Sequence, residues 1–135
     1  MLQYLIAYLI TSIVFLSIDF VWLAKIAKPF YFSNLSGLLL ERPNMIAAAG
    51  FYSVYVIGII IFAVAPALRD GSVSTALLYG ALFGFFTYAT YDMTNYATLR
   101  DWPGIVVIVD IAWGTALTAT AATLGYLGTK AVFSA

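Results

Sequence analysis

The stretch Gly104–Gly128, GIVVIVDIAWGTALTATAATLGYLG, decides the fold. It holds one charged side chain, Asp110. Crossing the hydrocarbon core of a bilayer takes about 20 consecutive, mostly apolar residues in a helix, because lipid offers no partners for exposed backbone N–H and C=O groups. Three other stretches meet the same requirement: Gln3–Ala24, Met45–Leu68 and Ser72–Ala97. The breaks between them carry loop punctuation: Lys25, Lys28 and Pro29; Arg42-Pro43-Asn44; Pro66 with Arg69-Asp70-Gly71; and Arg100-Asp101-Trp102-Pro103. The expected fold class is therefore an all-α membrane protein, a four transmembrane helix bundle that forms one domain over residues 1–135. Between the first and second helices, Pro29 to Glu41 is expected to form a short interfacial helix or a structured loop, with Phe30, Phe32, Leu35, Leu38 and Leu39 on its apolar face.

Composition points the same way and excludes much chemistry. Of 135 residues, 64% are hydrophobic and 9% are charged, against about 25% charged in a soluble domain. Mean hydropathy is +1.00. Net charge is zero, which argues against nucleic acid as a partner. Cysteine and histidine are both absent, so haem held by His, Cys- or His-ligated metals and imidazole-based triads are excluded. Carboxylates, hydroxyls, Asn amides and a few Lys and Arg remain. Met1-Leu2-Gln3-Tyr4 lacks the basic n-region of a signal peptide, so the first apolar run is expected to be retained.

Lys25, Lys28, Arg42 and Arg100 fall on one side of the bundle, Arg69 and Lys130 on the other. The positive-inside rule then makes the first side cytoplasmic and both termini periplasmic, in a bacterial inner membrane.

Three acids lie inside the apolar runs: Asp19, Asp92 and Asp110. A charged group at membrane depth costs roughly 2.5–3.5 kcal/mol on insertion scales, and such residues usually face a bundle interior. Counting at ~1.5 Å per residue from Lys25, Arg100 and Pro103, each sits about 9–12 Å from the same surface. Their helices carry stripes that share those faces: Tyr8, Ser12, Phe15, Asp19 and Trp22; Gly80, Gly84, Tyr88, Tyr91, Asp92 and Asn95; Asp110, Gly114, Thr118, Ala121 and Gly125. Small residues on these stripes let the helices approach closely. The three aspartates are thus expected to converge in a chamber near one leaflet. They are the candidate catalytic residues. Asn95, Tyr88, Tyr91, Tyr52, Tyr55, Trp22 and Trp113 are the candidate ligand-binding residues.

Three carboxylates in one low-dielectric pocket repel one another. Protonation, a basic counter-ion, a cationic or hydroxyl-bearing ligand, or a divalent cation (Mg²⁺, Mn²⁺ or Ca²⁺) on Asp19, Asp92, Asp110 and Asn95 each relieves this, and the sequence leaves all four open.

The run Thr90-Tyr91-Asp92-Met93-Thr94-Asn95-Tyr96-Ala97-Thr98-Leu99 with Trp102-Pro103, together with Asp19-Phe20-Val21-Trp22 and Asp110-Ile111-Ala112-Trp113-Gly114, resembles the bacterial integral membrane family catalogued as domain of unknown function 2177. The likeness covers nearly the whole chain. It implies a small four-helix inner-membrane protein with no assigned activity, so no residue role transfers from it.

Three functions fit these features. The first is a protein that binds or modifies a lipid-like or amphiphilic small molecule, with membrane lipids as its partners and with Pro29–Glu41 roofing the acids. The second is a small proton-coupled transporter, a homo-oligomer of two copies because four helices enclose little volume. The third is an accessory subunit of a larger complex.

Overall fold

The computed structural model describes residues 1–134, and its long elements are helices throughout. Four are long and apolar enough to cross a membrane: α1 (Leu2–Ile26), α3 (Met45–Asp70), α4 (Val73–Thr98) and α5 (Gly104–Ser134). They run 25, 26, 26 and 31 residues. At ~1.5 Å per residue each exceeds the ~30 Å hydrocarbon core. A short helix, α2 (Lys28–Leu35), lies between the first two crossings.

Local chemistry sets the boundaries. The Asn44 side chain accepts a hydrogen bond from the Ala47 amide at 3.0 Å and caps the start of α3. Gly71 ends the same helix in the left-handed region, at φ 65°, where a side chain would be strained. Two spans contain a turn of π-helix, Trp22–Ile26 in α1 and Ile60–Val64 in α3, and each lies just before a proline. A proline ring clashes with the carbonyl four residues back and offers no N–H. Widening the preceding turn, with Ala27 N–H bonded to Trp22 O and Ala65 N–H to Ile60 O, relieves the crowding ahead of Pro29 and Pro66.

α5 is the axis of the bundle. It packs along α4 and along α1, while α3 meets α4 mainly through its π-helical turn and α1 through both that turn and the residues before it. Close approach of α4 and α5 depends on missing side chains. A Cβ on Gly84 would meet the Gly114 carbonyl and lie 2.7 Å from Thr118 Cβ; a Cβ on Gly114 would strike the Tyr88 ring. The core gathers Ala7, Phe15, Tyr55, Ile59, Leu117, Ala121 and Tyr126. On α1, Leu5, Leu9, Ile13, Leu16 and Phe20 face outward at helical spacing. An exposed apolar stripe of that length belongs in lipid.

α2 is shorter than the segment expected for it, and one residue of the expected apolar face, Leu35, turns inward. The helix stops at Leu35, where Leu38 and Leu39 N–H turn back onto the Leu35 carbonyl. Phe32, Leu38 and Leu39 are exposed, and the residues turned inward are Ala27, Tyr31 and Leu35. An apolar face chosen by hydrophobicity omitted the tyrosine because its ring and hydroxyl have opposite preferences.

Candidate functional site

α1 and α5 are the first and fourth crossings, so they run antiparallel, and each carries an Asp-x-x-Trp sequence. Antiparallel neighbours with the same spacing set the aspartate of one level with the tryptophan of the other. The side chains use that match. Trp113 Nε1 donates to Asp19 Oδ1 at 3.1 Å. Trp22 Nε1 donates, at a long 3.4 Å, to the Tyr31 hydroxyl, which in turn donates to Asp110 Oδ1 at 2.8 Å. The two indoles stack between these bonds, with centroids 4.1 Å apart and planes within 10°. From α3, the Tyr52 hydroxyl donates to Asp19 Oδ2 at 2.9 Å. One lattice of indole, phenol and carboxylate therefore ties α1, α2, α3 and α5 together.

The donors to Asp19 and Asp110 are indole N–H and phenol O–H groups, not Lys or Arg. Such donors satisfy a carboxylate without adding a second buried charge. Tyr31, which lies outside the spans, has its phenol raised above the usual range, first by burial and then by the neighbouring Asp110 carboxylate. It therefore keeps its proton and remains a donor at neutral pH.

Asp92, from α4, completes the cluster in a different state. It is fully enclosed, at 0% exposure, and neither carboxylate oxygen has a hydrogen-bond partner. The Asp110 carboxyl and Tyr31 are both near enough to feel its charge. Two carboxylates offer each other only acceptors. Asp110 thus lies near each of the other two acids, with Asp19 doubly bonded, Asp110 bonded through Tyr31, and Asp92 without a donor.

The remaining candidate residues divide. Trp22, Trp113 and Tyr52 are in the lattice. Tyr55 turns away, with its hydroxyl at 2.8 Å from Thr118 Oγ1 and 3.0 Å from Thr87 Oγ1. Tyr88 packs edge-on to Tyr55, with centroids 6.3 Å apart, and lies over Gly114. Tyr91 is exposed and meets Trp102 edge-on; Asn95, half-buried, lies beside Tyr91. Sequence reasoning missed Tyr31. The available signal was the i, i+4 spacing of Ala27, Tyr31 and Leu35, which gives an eight-residue helix one inward stripe.

Among the described residues, no three Asp, Glu, His or Cys side chains are grouped to hold a metal ion. Two surface hollows stand apart from the acids. One is lined by Ser74, Thr75, Leu78 and Tyr79, the other by Gln3, Leu68, Tyr126 and Lys130. α2 reaches the acids through Tyr31, and Asp92, closed off from solvent, offers unfilled acceptor capacity.

No curated protein and no solved structure matches the chain. The family model described as "Predicted membrane protein (DUF2177)" matches residues 4–127, a span that includes every residue of the lattice and Asp92. With four membrane-length helices and a match over most of its length, the chain belongs to the DUF2177 family of membrane proteins.

Proposed function

We propose that the protein takes the polar end of an amphiphilic small molecule at the Asp92–Asp110 pair, near the cytoplasmic leaflet of a bacterial inner membrane, with α2 as the cover. One observation carries this reading: a carboxylate buried at 0% exposure, with both oxygens lacking donors, beside a second carboxylate. Burying an unsatisfied charge is costly, and groups that persist in that state at membrane depth usually serve a function. Asp19 has a different part. Bonded by Trp113 and Tyr52, it orients the indole stack that walls the pair. The apolar body of the ligand would lie along the lipid-facing grooves of the bundle.

Access requires α2 to lift, which breaks the Tyr31–Asp110 bond. The π-helical turn at Trp22–Ile26 is the natural hinge, since such turns interrupt the regular ladder and recur at functional sites. The test is thermal unfolding of the purified protein in lipid nanodiscs, with amphiphiles of anionic, neutral and cationic head group. The expected result is stabilisation that depends on head group and is lost in Asp92→Asn. Equal response to every amphiphile, or an unchanged response in Asp92→Asn, contradicts the proposal.

A further inference from the structure

The hydrogen-bond inventory of the acid pair restricts the head group. Asp92 offers two oxygens without donors, and the Asp110 carboxyl beside it already takes one bond from Tyr31 on Oδ1. No Lys or Arg is among the recorded partners of these acids, so the protein supplies donors to this end only from phenol and indole. The missing partner must bring several N–H or O–H donors on one atom. Where both acids are ionised it must also bring positive charge, because two adjacent carboxylates in a low-dielectric site repel. A primary ammonium, with three donors and unit charge, meets both needs.

A quaternary ammonium meets only one. It has no N–H, and proteins hold such groups against open aromatic faces. Here the faces of Trp22 and Trp113 that meet are already stacked on each other at 4.1 Å. A hydroxyl meets neither, since it donates a single bond and leaves the charge uncompensated.

We infer that the Asp92–Asp110 pair is a binding site for a primary ammonium group carried on an apolar chain. This rests on the amphiphile reading above and names the class of its ligand. The ammonium sits between the two carboxyls, with Asp92 accepting on both oxygens and Asp110 on the oxygen that Tyr31 leaves free. Such a group reaches the site either as the head of a membrane lipid or as a free long-chain amine.

The experiment uses the full chain in nanodiscs and four probes of one chain length: dodecylamine, dodecyltrimethylammonium, dodecanol and dodecanoate. Binding is read by thermal shift and by isothermal titration. Dodecylamine is expected to bind at least tenfold tighter than the other three, and to lose at least tenfold in Asp92→Asn and in Asp110→Asn. Thr120→Val, on the outer face of α5, should bind as the unaltered protein does. Nanodiscs of phosphatidylethanolamine and of phosphatidylcholine separate the sources. If the lipid head group is the ligand, the first lipid raises thermal stability over the second in the unaltered protein but not in Asp92→Asn. If the free amine is the ligand, the two lipids give equal stability and dodecylamine responds in both.

Dodecyltrimethylammonium binding as tightly as dodecylamine would overturn the inference, because charge alone would then suffice. Dodecanol binding best, with loss in Asp92→Asn, would overturn the ammonium and leave the amphiphile reading standing. Silence of all four probes and of both lipids would sink both, leaving a proton as the sole occupant between the carboxyls.

Discussion

The two halves of α5 satisfy their polar groups in opposite ways. Beyond Thr118, each of Thr120, Thr123 and Thr129 donates to the carbonyl four residues back in its own helix, at 2.7 Å in every case. Contact with other helices in that half is made by Ala121, Ala122, Gly125 and Tyr126, none of which bonds a side chain of another helix. Between Asp110 and Trp113 the bonds leave the helix, to Tyr31 on α2 and to Asp19 on α1. A hydroxyl bonded within its own helix can be deleted without stranding a partner elsewhere. A carboxylate or indole bonded across helices cannot, because its removal leaves a buried group unpaired on another element. One half is a packing surface and the other a coupled network.

Trp113→Ala should break this contrast most severely. It removes the indole stack and the Asp19 donor together, at a cost near the lower end of about 3–5 kcal/mol for a large aromatic truncation. Reversible unfolding in mild detergent checks this. The account expects the loss to be non-additive with Tyr52→Phe, since both variants strip donors from one carboxylate. Simple addition of the two effects would dissolve the network into independent contacts.

Tyr31→Phe is smaller, about 1.5 kcal/mol for one hydrogen bond to a charged acceptor, and it has a pH signature. The folded state raises the Tyr31 phenol above its ordinary value of 10.0 through burial and the Asp110 carboxylate. Its stabilisation is therefore complete below the unfolded value and declines as pH climbs past it. The unaltered protein should lose stability more steeply above pH 10 than Tyr31→Phe does. Parallel slopes would show that the phenol is not held by Asp110. At the small end, Thr120→Val should change stability by no more than about 0.5 kcal/mol, as a surface substitution whose hydroxyl bonds only its own helix. A larger loss would mean that this half of α5 is coupled too.

Much of this was legible in the sequence, and for identifiable reasons. The four spans follow from hydrophobic run length, a rule with little context dependence. The structure extends the fourth from Gly128 to Ser134, with the Lys130 ammonium folded back onto the Tyr126 ring and hydroxyl. Depth and helical phase put Asp19, Asp92 and Asp110 on one level, and Asp110 lies near each of the other two. The partners did not follow, because hydrogen bonds across helices depend on which rotamer a packed neighbour permits. Asp-x-x-Trp was visible twice, but its reciprocal use emerges only once α1 and α5 are seen to pack directly. Tyr55 and Tyr88 share depth with the acids but are claimed by Thr118, Thr87 and Gly114. Tyr91 sits one residue from Asp92, and a 100° step around the helix turns it outward.

On the ligand reading, Asp92 is kept as an unpartnered acceptor at some cost to the fold. Asp92→Asn tests it directly, since the amide preserves shape, removes one of two adjacent carboxylates and adds N–H donors facing Asp110. Thermal unfolding in nanodiscs with and without dodecylamine is the measurement. The account expects the ligand-free variant to be more stable than the unaltered protein, by about 1–2 kcal/mol, and to gain nothing from dodecylamine. A ligand-free variant that is less stable, and that still responds to the amine, would contradict it.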